Sequence, residues 1–165
     1  LPTEATSAIG LRSGRYEAVL MPVDRWGGER QRLEELLCEF LGVEAVQADD
    51  DGDYPVTTPE GHGLWVRLST GVDPISVQVF SVLAANVDPD PGLFEELNSI
   101  NAAAAHVKVL WASGAVMAEV DLVAEALELA ELGNALHVVR NTAERYNDVL
   151  SAYFGASTEE LETDQ

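Results

Sequence analysis

The spacing of hydrophobic positions changes several times along the chain, and each change marks a new element. From Arg30 the spacing is helical: Leu33, Leu36, Leu37, Phe40 and Leu41 fall on one face, and Gly42 is a natural stop. Past the acidic run Asp49 to Asp53 the period becomes two. Tyr54 to Thr57, then Leu64, Val66 and Leu68 alternating with Trp65 and Arg67, predict a hairpin. Gly71 to Pro74 turns the chain into Ile75 to Leu83, where Ile75, Val77 and Val79 share a face and β-branched residues predict a third strand.

Asp90 and Pro91 form an N-cap and first-turn pair, and Leu93, Phe94, Leu97, Ile100 and Ala104 supply the apolar stripe of a second helix. Val107, Val109 and Trp111 then alternate with His106, Lys108 and Leu110. Val116, Ala118, Val120 and Leu122 alternate with Met117, Glu119 and Asp121, and Ser113 with Gly114 makes the turn between these strands. A last helix begins within Leu127 to Glu131 and runs to about Phe154, with Gly155 at its end. Leu132, Leu136, Val139, Ala143, Tyr146, Leu150 and Tyr153 form its stripe, wide enough for a sheet or a partner helix to cover.

The order α-β-β-β-α-β-β-α places helices between blocks of antiparallel strands. This predicts an α+β domain with a five-stranded antiparallel sheet, not a parallel doubly wound one. Residues 1–29 read as an N-terminal arm, in which the run Tyr16 to Met21 is closed by Pro22. Residues 30–155 read as the domain, and 156–165, with Glu159, Glu160, Glu162 and Asp164, as a solvated tail. A chain of 165 residues, 47% of them apolar, has enough material for a single core.

Charge narrows the partners. Nine basic against 29 acidic side chains leave −20, and Lys108 is the only lysine. Such a surface repels phosphate backbones and anionic lipids, so nucleic acid and membranes are set aside, whereas basic proteins and loosely held cations stay open. No apolar run approaches the roughly 18 residues of a membrane span. Leu1 to Gly10 lack the basic start and long apolar run of a secretory leader, and Cys38, the only cysteine, forms no intrachain disulfide; both fit the cytoplasm.

Catalytic and metal-binding patterns are wanting. Cys38 lies in an apolar, acidic helical segment, the setting of a core thiol and not of a reactive one. His62, His106 and His137 share no ligand spacing, and aligning Gly52 with the glycine of a calcium loop puts Gln47 and Thr58 where carboxylates belong. No glycine-rich segment leads to Lys and Ser or Thr, and acidic residues are too widespread to single out an acid–base pair. No cofactor, no metal and no enzymatic activity are expected; an enzyme would require a pocket gathering His62, His106 or His137.

The second face of the sheet is more informative. If helices cover the face bearing Val66, Val77, Val79, Val109, Val116 and Val120, the other carries Trp65, Arg67, Gln78, Phe80, Lys108, Leu110 and Met117. Large apolar side chains mixed with cations are typical of a protein or peptide contact. The candidate binding residues are therefore Trp65, Arg67, Phe80, Lys108, Leu110 and Met117.

Two segments carry a family resemblance: Leu93 to Ala104, with Leu-Asn-Ser-Ile-Asn at Leu97 to Asn101, and the block from His106 to Gly155. The helix, asparagine pair, two strands with a small turn and long helix ending in Tyr, Phe and Gly resemble YbjN-type proteins over about Arg30 to Gly155. That family is related in fold to the small acidic chaperones of type III secretion. The resemblance implies a homodimer that binds an unfolded segment of a client protein; Asn98 and Asn101 read either as ligands or as capping or strand-pairing devices. The expectation is a non-enzymatic peptide-binding module; the alternative is a regulatory or immunity-type adaptor that meets one folded partner through its acidic surface.

Overall fold

The computed structural model describes residues 26–57 and 63–154. The expected arm up to residue 25, the hairpin turn containing His62 and the acidic tail lie outside them. Helix α1 (Gly27–Leu41) is followed by strands β1 (Tyr54–Thr57), β2 (Gly63–Ser69) and β3 (Ser76–Ala85). Helix α2 (Pro91–Ala103), strands β4 (Lys108–Ala112) and β5 (Ala115–Val123), a single 3-10 turn and helix α3 (Leu129–Phe154) complete the order. The expected α+β arrangement is thus the observed one, with every strand pair antiparallel and the sheet ordered β1-β2-β3-β5-β4.

Local chemistry explains the boundaries. The Asp90 carboxylate accepts from the Leu93 N–H at 3.0 Å, and Pro91, which has no N–H to satisfy, opens α2. Glu131 reaches back to the Glu128 N–H at 3.2 Å and closes the first turn of α3. Gly42 ends α1 with φ 66°, a conformation that costs glycine nothing. Helix α1 begins at Gly27, three residues before the expected start, because periodicity detects only the turns that carry apolar residues.

Helices α1 and α3 share one side of the sheet, with α3 laid over β3 and β5. Leu33, Leu37, Val66, Val77, Val79, Leu132, Val139 and Leu150 form the centre of the core. No helix among the described residues is long and apolar enough to cross a membrane.

Three expected core residues are exposed. Phe40 and Phe94 lie on the margins of their stripes, and Tyr153 is 78% exposed. Tyr153 points away from the core, whereas Phe154 beside it still packs half-buried against it; the 26 residues of α3 extend about 39 Å and the ten of β3 about 33 Å.

Strand β4 lies at an edge of the sheet, where unpaired N–H and C=O groups invite association. Here the Asn101 side chain, from α2, takes the place of a sixth strand. Its amide donates to the Val109 carbonyl at 2.7 Å and its oxygen accepts from the Val109 N–H at 2.8 Å. Both asparagines of the motif are exposed, and Asn101 is the one that serves as a strand-pairing device.

Candidate functional site

The register brings all six sequence-derived residues onto the sheet face away from α1 and α3, in rows that cross the strands. One row runs Trp65, Phe80, Glu119 and Lys108 from β2 to β4; beside it Val82, Met117 and Leu110 form an apolar row, and Arg67, Gln78 and Asp121 a polar one. Alternation along β3 after Gln78 and Phe80 also points Val82 to this face. That residue is absent from the sequence-derived set although the same alternation reaches it; the bulge between Val82 and Ala84 breaks the register only beyond it.

The six do not play equal parts. Phe80 is only 6% exposed, stacked on Trp65 at 5.8 Å between centroids and covered by the Arg67 guanidinium at 4.9 Å. It supports the face from within, and Trp65 presents the accessible ring. A side chain on Gly63 would collide with that ring, which lies folded over the glycine. Gly63→Ala is therefore expected to lift the indole, shifting Trp65 fluorescence to the red and lowering stability by about 1–3 kcal/mol. An unshifted spectrum would show that the ring does not rest there.

Both cations of the face have anionic partners. Asp53, 4% exposed, receives Arg67 through two bonds, 2.6 Å from Nε to Oδ1 and 2.5 Å from Nη2 to Oδ2. Hydrogen bonding to Asp53 is the main cause that raises the Arg67 pKa further above its ordinary value. Lys108 lies 2.7 Å from both Asp121 and Glu119, and its pKa is raised chiefly by the bond to Asp121 and then by that to Glu119.

The acidic run differs from the fully solvated turn that composition implies. The Asp49 carboxylate accepts from the Asp51 and Asp53 N–H groups, Gly52 adopts φ 84°, and Asp53 is turned inward to Arg67. Asp49 Oδ1 and both Asp53 carboxylate oxygens are thus engaged within the protein. Among the described residues no group of three or more His, Cys, Asp or Glu side chains is placed to hold a metal ion.

On the opposite side of the sheet a groove of about 400 Å³ separates α3 from the end of β5. Val120, Leu122, Ala135 and Val138 line it, with His106, Glu131, Asn134 and His137 at its rim. Two of the three histidines therefore share a groove, although nothing in their spacing connects them. The His137 ring is bracketed by Arg140 at 3.2 Å and Asn141 at 3.0 Å, and no Ser, Thr or Cys lines this groove. Cys38 is half-buried on α1. The apolar lining suits binding, and the residues around it form no nucleophile–base pair.

The fold has counterparts among known proteins. A family model described as T3SS (YopN, CesT) and YbjN peptide-binding chaperone 1 matches residues 29–160. A sequence search of curated proteins finds no match. Among solved structures, the HopA1–SchA chaperone–effector complex contains a chain of the same fold, with TM-score 0.58 and 15% identity over 77% of this chain and 99% of that one. The ExsC–ExsE complex gives TM-score 0.57 and 19% identity over 73% and 94%. The heterodimeric ExoU–SpcU complex of Pseudomonas aeruginosa gives 0.54 and 17% over 73% and 98%.

Proposed function

Since the chain belongs to the family of T3SS and YbjN peptide-binding chaperones, we propose that it is a non-enzymatic chaperone that holds an extended segment of a client protein. The observation that carries this reading is an open sheet face with an apolar row, Val82, Met117 and Leu110, next to the Trp65 ring of the adjacent row and beside ion pairs that are already complete. A client gains contact area there without having to supply counter-charges. Arg67, Phe80 and Lys108 hold the face in shape, and Trp65, Leu110 and Met117 make the contact.

Clients are neutral or basic on this reading. Each of the six cations among the described residues has an internal partner. Arg30 donates to the Tyr54 hydroxyl, Arg32 to the Leu127 carbonyl, and Arg145 lies over the Tyr146 ring. Arg140 pairs with Glu144, and Arg67 and Lys108 with the acids described above. Arg67, Lys108 and Arg140 are paired with carboxylates, while Arg30, Arg32 and Arg145 keep their charge beside neutral groups; it is the net balance of −20 that disfavours an anionic partner. The cytoplasm is the proposed location. A homodimer is proposed through α2, which rests on β4 and presents Phe94, 49% exposed and edge-on to Trp111.

Two unfolded probes of opposite charge test the function: reduced, carboxamidomethylated lysozyme, which is basic, and α-lactalbumin treated alike, which is acidic. The chain should bind the first at least tenfold more tightly. The double variant Trp65→Ser, Met117→Ser should lower that affinity about tenfold and, because Trp65 covers Phe80, also lower the melting temperature, so its folding at the assay temperature is checked by circular dichroism. Failure of the unaltered chain to bind either probe would remove the chaperone reading; binding indifferent to the double variant would remove only the sheet face.

A further inference from the structure

Exposed apolar side chains gather at the end of α1. Phe40 and Val43 are 44% and 45% exposed, although Leu33, Leu36 and Leu37 of the same helix are buried. Phe40 lines a groove of about 270 Å³ together with Leu41, with Val56 and Leu64 of the first hairpin, and with Leu136 and Arg140 of α3. Gly133 lets the Phe40 ring lie there, since a Cβ on that glycine would stand 3.2 Å from the ring. Leu64 and Val56 face the helices, so the groove is on the opposite side of the sheet from Trp65.

The sequence ahead of Trp26 holds a segment of matching character and reach. Tyr16, Ala18 and Leu20 alternate with Glu17 and Val19, so an extended chain presents one wholly apolar side, and Pro22 disfavours a helical Met21. Leu20 precedes Trp26 by six residues, about 20 Å of extended chain. Phe40 follows Trp26 by fourteen residues of helix, about 21 Å. A chain that turns back ahead of Gly27 and runs antiparallel to α1 therefore brings Leu20 level with Phe40. Charge favours the same pairing. Residues 1–25 carry three cations, Arg12, Arg15 and Arg25, against three acids, so the whole of the −20 belongs to the rest of the chain. Arg12 and Arg15 lead into the apolar run, while Glu39 and Glu44, both exposed, flank Phe40 and Val43 in sequence.

We propose that the groove at the end of α1 is the seat of the chain's own N-terminal arm, with Tyr16, Ala18 and Leu20 against Phe40 and Leu41 and with Arg15 beside the Glu39 and Glu44 carboxylates. A tethered segment needs little intrinsic affinity, because a short linker holds it at an effective concentration of about millimolar. The contact closes an exposed apolar patch within one molecule, and its release uncovers Phe40, Leu41 and Val43 together. It stands independently of the chaperone reading, since no client takes part.

The test follows tryptic cleavage after Arg15 in the folded full chain by mass spectrometry, with a free peptide of residues 8–25 as the unprotected reference. The arm should be cut at least fivefold more slowly than the peptide. Leu20→Asp and Phe40→Asp should each raise the rate at least fivefold, and the double variant should raise it no further, because both substitutions break one contact. Leu20→Asp alters no residue of the described domain, so its result stands whatever Phe40→Asp does to folding. A parent arm cut within twofold of the peptide would overturn the seat. So would a Leu20→Asp rate within twofold of the parent's, or accelerations that multiply in the double variant. Protection that rises with protein concentration, alongside the mass of a dimer in light scattering, would also overturn it, since the arm would then sit on a second copy.

Discussion

Phe80→Ser is expected to destabilise the domain by about 3–5 kcal/mol, as full truncation of a buried aromatic does, and to lower the melting temperature by roughly 10 °C or more. Phe80 is sealed between Trp65 and Arg67 on the sheet face opposite the helices. Its loss would remove the stack, the cation–π contact and the support of the Asp53–Arg67 pair together, leaving a hydroxyl in an apolar hole. Phe80→Leu retains most of the volume and should cost only about 1 kcal/mol. Urea titrations of both variants check this. A loss under about 1 kcal/mol for the serine variant would mean that Phe80 is a free contact residue. The same result cautions against using Phe80 in a binding test, where unfolding would be mistaken for lost recognition.

Asn101→Ala should cost about 1–2 kcal/mol, because it removes the partner of the Val109 N–H and C=O at once and leaves them to water at the sheet edge. Removing the side chain also uncovers an edge of the sheet, so the variant should associate in proportion to its concentration. Asn101→Asp separates the two bonds: a carboxylate still accepts from the Val109 N–H but has nothing to donate to the carbonyl, and should show an intermediate loss. Chemical denaturation gives the stabilities and light scattering the association. An alanine variant as stable as the parent would show that water serves the edge as well as Asn101 does.

Much of this was legible in the chain because the sheet has two different faces. Leu64, Val66 and Leu68 alternate with Trp65 and Arg67, and a period of two fixes side as well as structure, so Trp65, Arg67, Phe80, Lys108, Leu110 and Met117 could be assigned to one face before any coordinates. Depth within that face could not be read. Phe80 and Lys108 have the same parity, yet one is buried and the other exposed, because depth depends on the neighbours that the register supplies. The pairing of Asp53 with Arg67 was hidden for a similar reason: the acidic run looks uniform in sequence, and only the turn at Gly52 sends one of its carboxylates inward. The groove between α3 and β5 left less trace still. His106 and His137 meet through the angle at which a helix crosses a sheet, and hydrophobic spacing carries no record of that angle.

The excess length of α3 over the sheet has a consequence for amide hydrogen exchange. Up to Leu150 each turn is held by core side chains, so its amides should exchange only through large-scale opening. Beyond it, among the described residues, the Ser151 hydroxyl is bonded to the Leu83 carbonyl at 3.2 Å, and half-buried Phe154 makes the final apolar contact with the core. Protection should therefore decline within a single turn, from residues that report global unfolding to residues that report fraying. A bound client that extended protection past Ser151 would reveal itself in the exchange pattern without any mutation.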